Sequence, residues 1–70
     1  MELNIGDILI CTKGYNHPNM GTVCTKNKRY KIFNINKGDK YNTYNIGTVK
    51  SSRSWWVDVN FIKDHFVEGE

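Results

Sequence analysis

The chain has 70 residues, 39% of them hydrophobic and 24% charged, and a formal net charge of +3. This length fits one domain, residues 1–70, with a single small core, and excludes two separately folded halves. Two cysteines are too few for a disulfide scaffold, and no apolar run approaches the ~20 residues that a membrane-spanning helix needs. No charged and then apolar leader opens the chain, so we expect a cytoplasmic protein without a membrane partner.

The first part of the chain predicts one regular strand followed by an irregular segment. The apolar run at residues 8–11 follows a Gly-Asp turn and predicts a strand that is apolar on both faces. Such a strand is typical of a barrel wall, with the core on one face and a covering loop on the other. Residues 12–26 are rich in turn formers and predict a long loop or irregular hairpin, from which residues 22–24 return as a short strand beside the first. Asn27 then occupies a tight turn that requires a positive φ, which Asn tolerates.

The segment at residues 28–66 organises the rest of the chain, and its β-branched and aromatic residues predict three strands joined by tight turns. Ile35 follows Ile32 by three residues instead of two, which predicts a β-bulge that turns Phe33 outward. A further hairpin turn is predicted at residues 50–54. The apolar positions of the three strands are Tyr30, Ile32 and Ile35, then Tyr44 and Ile46, then Trp55 and Val57.

The end of this segment has a different periodicity. Val59, Ile62 and Phe66 recur at a spacing of three to four residues, which is typical of one face of a helix. Asp58 or Asn60 would cap the first turn, because either side chain accepts a backbone hydrogen bond. We therefore predict a short C-terminal helical turn.

These motifs together resemble a group of small SH3-like proteins encoded mainly by bacteriophages and mobile elements. The resemblance rests on the Gly-Asp turn, the Lys-x-Tyr-x-Ile-x-x-Ile strand from Lys28, the Tyr-x-Ile strand from Tyr44, the Trp-rich strand and the closing turn at residues 61–66. The chain departs from the group at Asn27, where Gly is frequent, and at the Ser-rich turn before the Trp strand. The resemblance implies an all-β fold, a small SH3-like barrel of about five antiparallel strands. It also implies a phage accessory protein that acts on a component of the bacterial host cell, and it implies no catalytic residue.

Two adjacent tryptophans give the first candidate site. Consecutive strand residues face opposite sides of a sheet, and Trp55 shares its phase with Val57, so we predict that Trp55 faces the core and Trp56 faces outward. Two interpretations of Trp56 stay open. Either it forms part of a contact surface for a partner, or it packs beneath the loop at residues 12–26. By analogy with SH3-like barrels, the ligand groove would lie between the long first loop and the hairpin of the third and fourth strands. The candidate protein-binding residues are Trp56, Tyr15, His17, Phe33 and Arg53.

The densest positive charge gives the second candidate site. Lys26, Lys28, Arg29 and Lys31 interleave with an aromatic residue, a pattern typical of platforms for single-stranded nucleic acid. Alternation places Lys28 with Tyr30 and Arg29 with Lys31, so only part of the cluster shares a face. Lysines at a strand edge also prevent edge-to-edge pairing. A host protein is the expected partner, and a small nucleic-acid-binding domain is the alternative.

Catalytic and metal-binding motifs are absent from the sequence. It contains no Gly-rich phosphate loop, no nucleophile elbow and no carboxylate pair in an apolar setting. Cys11 and Cys24 would be neighbours if their segments pair, with His17 between them, but no Cys-x-x-Cys motif supports a zinc site. We expect both cysteines to be free, buried thiols that pack as small apolar side chains. We expect a protein that is not an enzyme and binds no metal or cofactor.

Overall fold

Most of the regular secondary structure in the described residues is β-strand, as the sequence predicts. The computed structural model describes residues 2–48, 50 and 53–69, and that part of the chain contains seven strands and one short helix. Ser51 and Ser52, in the predicted hairpin turn, lie outside the described residues. The elements in chain order are β1 Ile8–Cys11, β2 Tyr15–His17, β3 Gly21–Cys24, β4 Arg29–Lys37, β5 Asn42–Gly47, β6 Ser54–Asp58, α1 Val59–His65 and β7 Phe66–Glu68.

Five of these strands form one antiparallel sheet in the order β6-β5-β4-β1-β7, and β2 and β3 form a separate hairpin. In the part of the chain that the structure describes, the two sheets do not close into a barrel, because β6 and β7 lie at opposite ends of the strand order. The prediction that residues 22–24 pair with β1 is wrong. Both edges of β1 are already occupied, one by β4 and the other by β7, so β3 pairs with β2 instead.

The core lies on one face of the five-stranded sheet, which we call the inner face, and beneath α1. The ring of Tyr30 meets the ring of Phe66 edge-on, with 5.4 Å between centroids. The hydroxyl of Tyr30 accepts a 2.7 Å hydrogen bond from the backbone N–H of Thr25, so the polar end of this buried side chain is satisfied. Each fully buried aliphatic side chain stabilises the fold by about 1.5–3 kcal/mol. The cluster of buried residues comprises Leu3, Leu9, Cys11, Cys24, Tyr30, Ile32, Tyr44, Ile46, Ile62 and Phe66.

Three local predictions are confirmed. The register of β4 against β5 shifts between Ile32 and Asn34, and this bulge leaves Phe33 exposed. Asn27 has a φ of 73°, the left-handed conformation that its turn requires. Asp58 caps α1, its carboxylate accepting a 2.8 Å hydrogen bond from a backbone N–H of the first helical turn. At these three places, the local preferences of bulge, turn and cap residues determine the backbone conformation.

Candidate protein-binding groove

A groove of about 640 Å³, which we call the aromatic groove, runs along β6. Strand β6 ends the strand order, so among the described residues its outer edge has no strand neighbour in the sheet. All five residues of Ser54–Asp58 line the groove, and the opposite wall comes from the β2–β3 hairpin and α1. Besides β6, the large side chains that line it are Tyr15, His17, Met20 and Phe61. The groove is therefore a concave, mostly apolar surface beside an open sheet edge.

A cluster of rings holds the hairpin wall in place. The ring of Tyr15 lies edge-on to Phe61, at 5.5 Å and 86°, and 5.5 Å from the ring of His65. Phe61 stacks on His65 at 4.4 Å and 28°. His65 Nδ1 also lies 2.7 Å from the carbonyl oxygen of Lys13, which can only accept, so this nitrogen carries the proton. Aromatic pairs contribute about 0.5–1.5 kcal/mol each beyond their buried area, so these contacts fix the hairpin against α1.

The two tryptophans differ in environment as the alternation of β6 predicts. Trp56 is 56% exposed, so the hairpin at residues 12–26 does not cover it. Trp55 is half-buried on the same face as Val57, which packs against the core. Trp55 itself does not join the buried cluster, because β6 lies at the edge of the sheet. The guanidinium of Arg53 lies over the Trp55 ring, with 5.2 Å between Cζ and the ring centroid.

A second, smaller depression of about 200 Å³ adjoins the aromatic groove and shares Val23 and Trp55 with it. We call it the basic groove, because Lys28 and Arg53 line it and none of its described lining residues is acidic. Arg53 Nη2 donates a 3.2 Å hydrogen bond to the carbonyl oxygen of Met20, in the β2–β3 hairpin. This contact and the Trp55 ring hold the guanidinium at the boundary between the two grooves.

The predicted protein-binding residues fall into two groups. Tyr15, His17 and Trp56 line the aromatic groove, and Arg53 lines the basic groove next to it. His17 is oriented locally, since its Nδ1 accepts a 3.1 Å hydrogen bond from a backbone N–H two residues on. Phe33 is exposed but lines neither groove, because it lies on β4, over Gly47, and β5 separates β4 from the edge strand β6. The surface predicted around Trp56 therefore forms without Phe33.

The basic cluster is divided between two surfaces, as its alternation predicts. Arg29 and Lys31 lie opposite Ile10 and Ile8 of β1, on the outer face of the sheet. Lys28 lines the basic groove on the other side. Lys26 is exposed in the turn between β3 and β4. The four cations therefore do not form one continuous stripe.

The two cysteines are free and buried, as predicted, and their thiols are neighbours. Cys24 Sγ also donates to the carbonyl oxygen of Lys13 at 3.7 Å. Burial raises the pKa of the Cys24 thiol to about 12, and the hydrogen bond and charge of Cys11 add to this effect. Such a thiol is almost entirely protonated at neutral pH and is a poor nucleophile. Among the described residues, no three His, Cys, Asp or Glu side chains are grouped so that they could hold a metal ion.

Several groove residues were not predicted from the sequence. Met20 and Phe61 line the groove, and His65 supports it from behind. The signal for Phe61 was its position three residues after the cap at Asp58, which places it in the first helical turn, facing the end of β6. Met20 and His65 carry no comparable sequence signal, because their places depend on how the hairpin packs against α1.

Comparison of the chain with family models, with curated proteins and with solved structures found no match. Among the described residues, the helical part of the chain is too short and too polar to cross a membrane. The groove geometry is therefore the main basis for a functional proposal.

Proposed function

We propose that this chain is a non-enzymatic binding domain that docks on a partner protein through the aromatic groove. The observation that carries the proposal is the 56% exposure of Trp56 beside a groove of about 640 Å³. A large, exposed aromatic side chain next to a preformed apolar cleft is typical of protein-binding hot spots. The ring cluster behind Tyr15 supports a rigid groove, which lowers the entropic cost of binding.

We also infer an SH3-like fold for this domain. Its support is the pairing of β1 with both β4 and β7, the long hairpin that follows β1, and the short helix between β6 and β7. Together with the resemblance to phage SH3-like proteins, these features support our proposal that the chain is a phage accessory protein acting in the cytoplasm of a bacterial host. It would modulate or inhibit the host protein on which it docks.

A small nucleic-acid-binding domain is the second candidate function. The observation in its favour is that Lys28, Arg53 and Trp55 meet in the basic groove, where a base could stack beside positive charge. The division of the basic cluster between two faces weighs against it, since backbone binding uses a continuous positive track. We therefore rank protein binding first.

The test is affinity capture from a bacterial lysate with three tagged proteins, which are the parent, Trp56→Ala and Tyr41→Ala. Tyr41 is a matched control, because it is 62% exposed and lies outside both grooves. The parent and Tyr41→Ala should retain the same proteins after nuclease treatment, and Trp56→Ala should lose them with little change in melting temperature. The proposal is wrong if all three capture the same set, or if capture ends with nuclease and falls steeply with salt.

A further inference from the structure

We infer that the two grooves together bind one extended peptide segment of the partner that carries both a large apolar side chain and an acidic one. This inference rests on the proposed function and specifies the chemistry of its ligand. The apolar side chain would occupy the aromatic groove, and the carboxylate would lie against the basic groove.

The two grooves adjoin each other at the start of β6. Val23 and Trp55 line both of them, and β6 borders the aromatic groove from Ser54 to Asp58. The longest dimension of the domain is 29 Å. An extended chain advances about 3.3 Å per residue, so a segment of about nine residues is as long as the domain and longer than the five residues of β6. A ligand in extended conformation can therefore contact both grooves at once.

The charges at the two ends of β6 are opposite. Asp58 lines the aromatic groove at the end of β6, and its carboxylate is held there by the N–H of Phe61. Lys28 and Arg53 line the basic groove at the start of the strand. An acidic ligand residue is attracted at the Arg53 end and repelled at the Asp58 end, which fixes its place along the segment.

The guanidinium of Arg53 is suited to a carboxylate. The contacts that position it include the ring of Trp55, at 5.2 Å, and the carbonyl oxygen of Met20, at 3.2 Å. Arg presents its donors in a planar fork that matches a carboxylate. Lys28 adds a second positive charge on the same groove, and the described lining residues add no negative one. A basic segment would meet repulsion at this end.

The probe is a display library of random peptides of about nine residues, selected on the immobilised parent protein. Enriched peptides are then synthesised with a fluorescent label, and each acidic residue is replaced by its amide in a matched analogue. Affinities are measured by fluorescence polarisation for the parent, Trp56→Ala, Lys28→Glu and Lys40→Glu. Lys40 is the control for the charge change, because it is exposed in the β4–β5 turn and lines neither groove.

The inference predicts enriched peptides that carry a large apolar residue and an acidic one. Their amide analogues should bind the parent about fivefold more weakly, Lys28→Glu should weaken binding by about tenfold, and Lys40→Glu should change it less than twofold. Trp56→Ala should abolish measurable binding. If Lys28→Glu does not fold, the amide analogues on the parent protein still decide the question.

Each other outcome overturns a distinct claim. Peptides that require Trp56 but show no acidic preference, or a basic one, overturn this inference and leave the proposed function standing. Peptides that bind Trp56→Ala as well as the parent overturn both. Displacement of the peptide by a single-stranded oligothymidine of about nine nucleotides, in a manner lost in Lys28→Glu, overturns both in favour of nucleic-acid binding.

Discussion

Replacing Ile32 by alanine is the most direct perturbation of the core. Ile32 has no exposed surface and lies opposite Ile46 in the β4–β5 ladder. The truncated carbons are worth about 0.8 kcal/mol each in transfer free energy, and the cavity adds to this, so Ile32→Ala should cost about 3 kcal/mol. A domain of 70 residues has a free energy of unfolding of about 3.5–10 kcal/mol, so this variant could lose most of its stability. The melting temperature should fall by about 12–24 °C.

The assay is circular dichroism, with thermal and urea unfolding of the parent and of two variants. Ile5→Ala is the matched control, since the same side chain is 62% exposed at Ile5. It should change the free energy of unfolding by less than about 0.5 kcal/mol. An Ile32→Ala variant that melts within a few degrees of the parent, or an Ile5→Ala variant that loses as much, would refute the assignment of the core.

Three further predictions follow from the described contacts. Thiol counting under denaturing, non-reducing conditions should give two thiols per chain, and a count of zero would contradict the free state of Cys11 and Cys24. The free energy of unfolding should fall as pH rises from about 9 towards 12, because unfolded Cys24 loses its proton near pH 9 whereas the folded thiol, with a pKa of about 12, keeps it. Urea titrations across this range should show a smaller fall for Cys24→Ala, and an equal fall in both proteins would count against the buried thiol pair. Gly47→Ala should destabilise the domain by about 1–3 kcal/mol, because the new Cβ would lie 2.6 Å from the carbonyl oxygen of Arg53. An unchanged urea midpoint would show that the fold does not require the backbone of Arg53 to lie this close to Gly47.

The features that could be predicted from the sequence are those that a few neighbouring residues determine. The three-residue step from Ile32 to Ile35 specifies the bulge, and the choice of Asn27 specifies a turn with positive φ. Asp58 ahead of a helical periodicity specifies the start of α1. Alternation alone placed Trp56 outside. In each case the determining contact lies within about four residues along the chain.

The features that could not be predicted are choices between strand edges. A short apolar run such as β3 can pair with any open strand edge. Its own residues do not indicate that both edges of β1 are already paired, one with β4 and the other with β7. Phe66, the first residue of β7, continues the helical spacing of α1, so β7 gave no separate strand signal. Closure of the sheet is likewise decided by how far β6 and β7 are from each other, which no local pattern encodes.

The candidate site was predicted in part for the same reason. Tyr15, His17 and Trp56 were grouped by analogy with a fold, and the structure places all three on one groove. Phe33 was added because it was expected to face outward, and it does share the outer face with Trp56, but it lies on β4, which β5 separates from the edge strand β6 that borders the groove. Exposure is a local property, whereas sharing a groove depends on the packing of distant elements.

The most direct measurement of the central claim is photo-crosslinking from inside the groove. Tyr15, which is 37% exposed, would be replaced by a benzophenone amino acid, and Tyr41, which is 62% exposed outside the groove, would receive the same replacement as a control. Both proteins are irradiated in nuclease-treated bacterial lysate, and covalent adducts are identified by mass spectrometry. A groove that docks on a protein should give a specific protein adduct from position 15 and not from position 41. Equal adducts from both positions, or adducts from position 41 alone, would contradict docking through the aromatic groove.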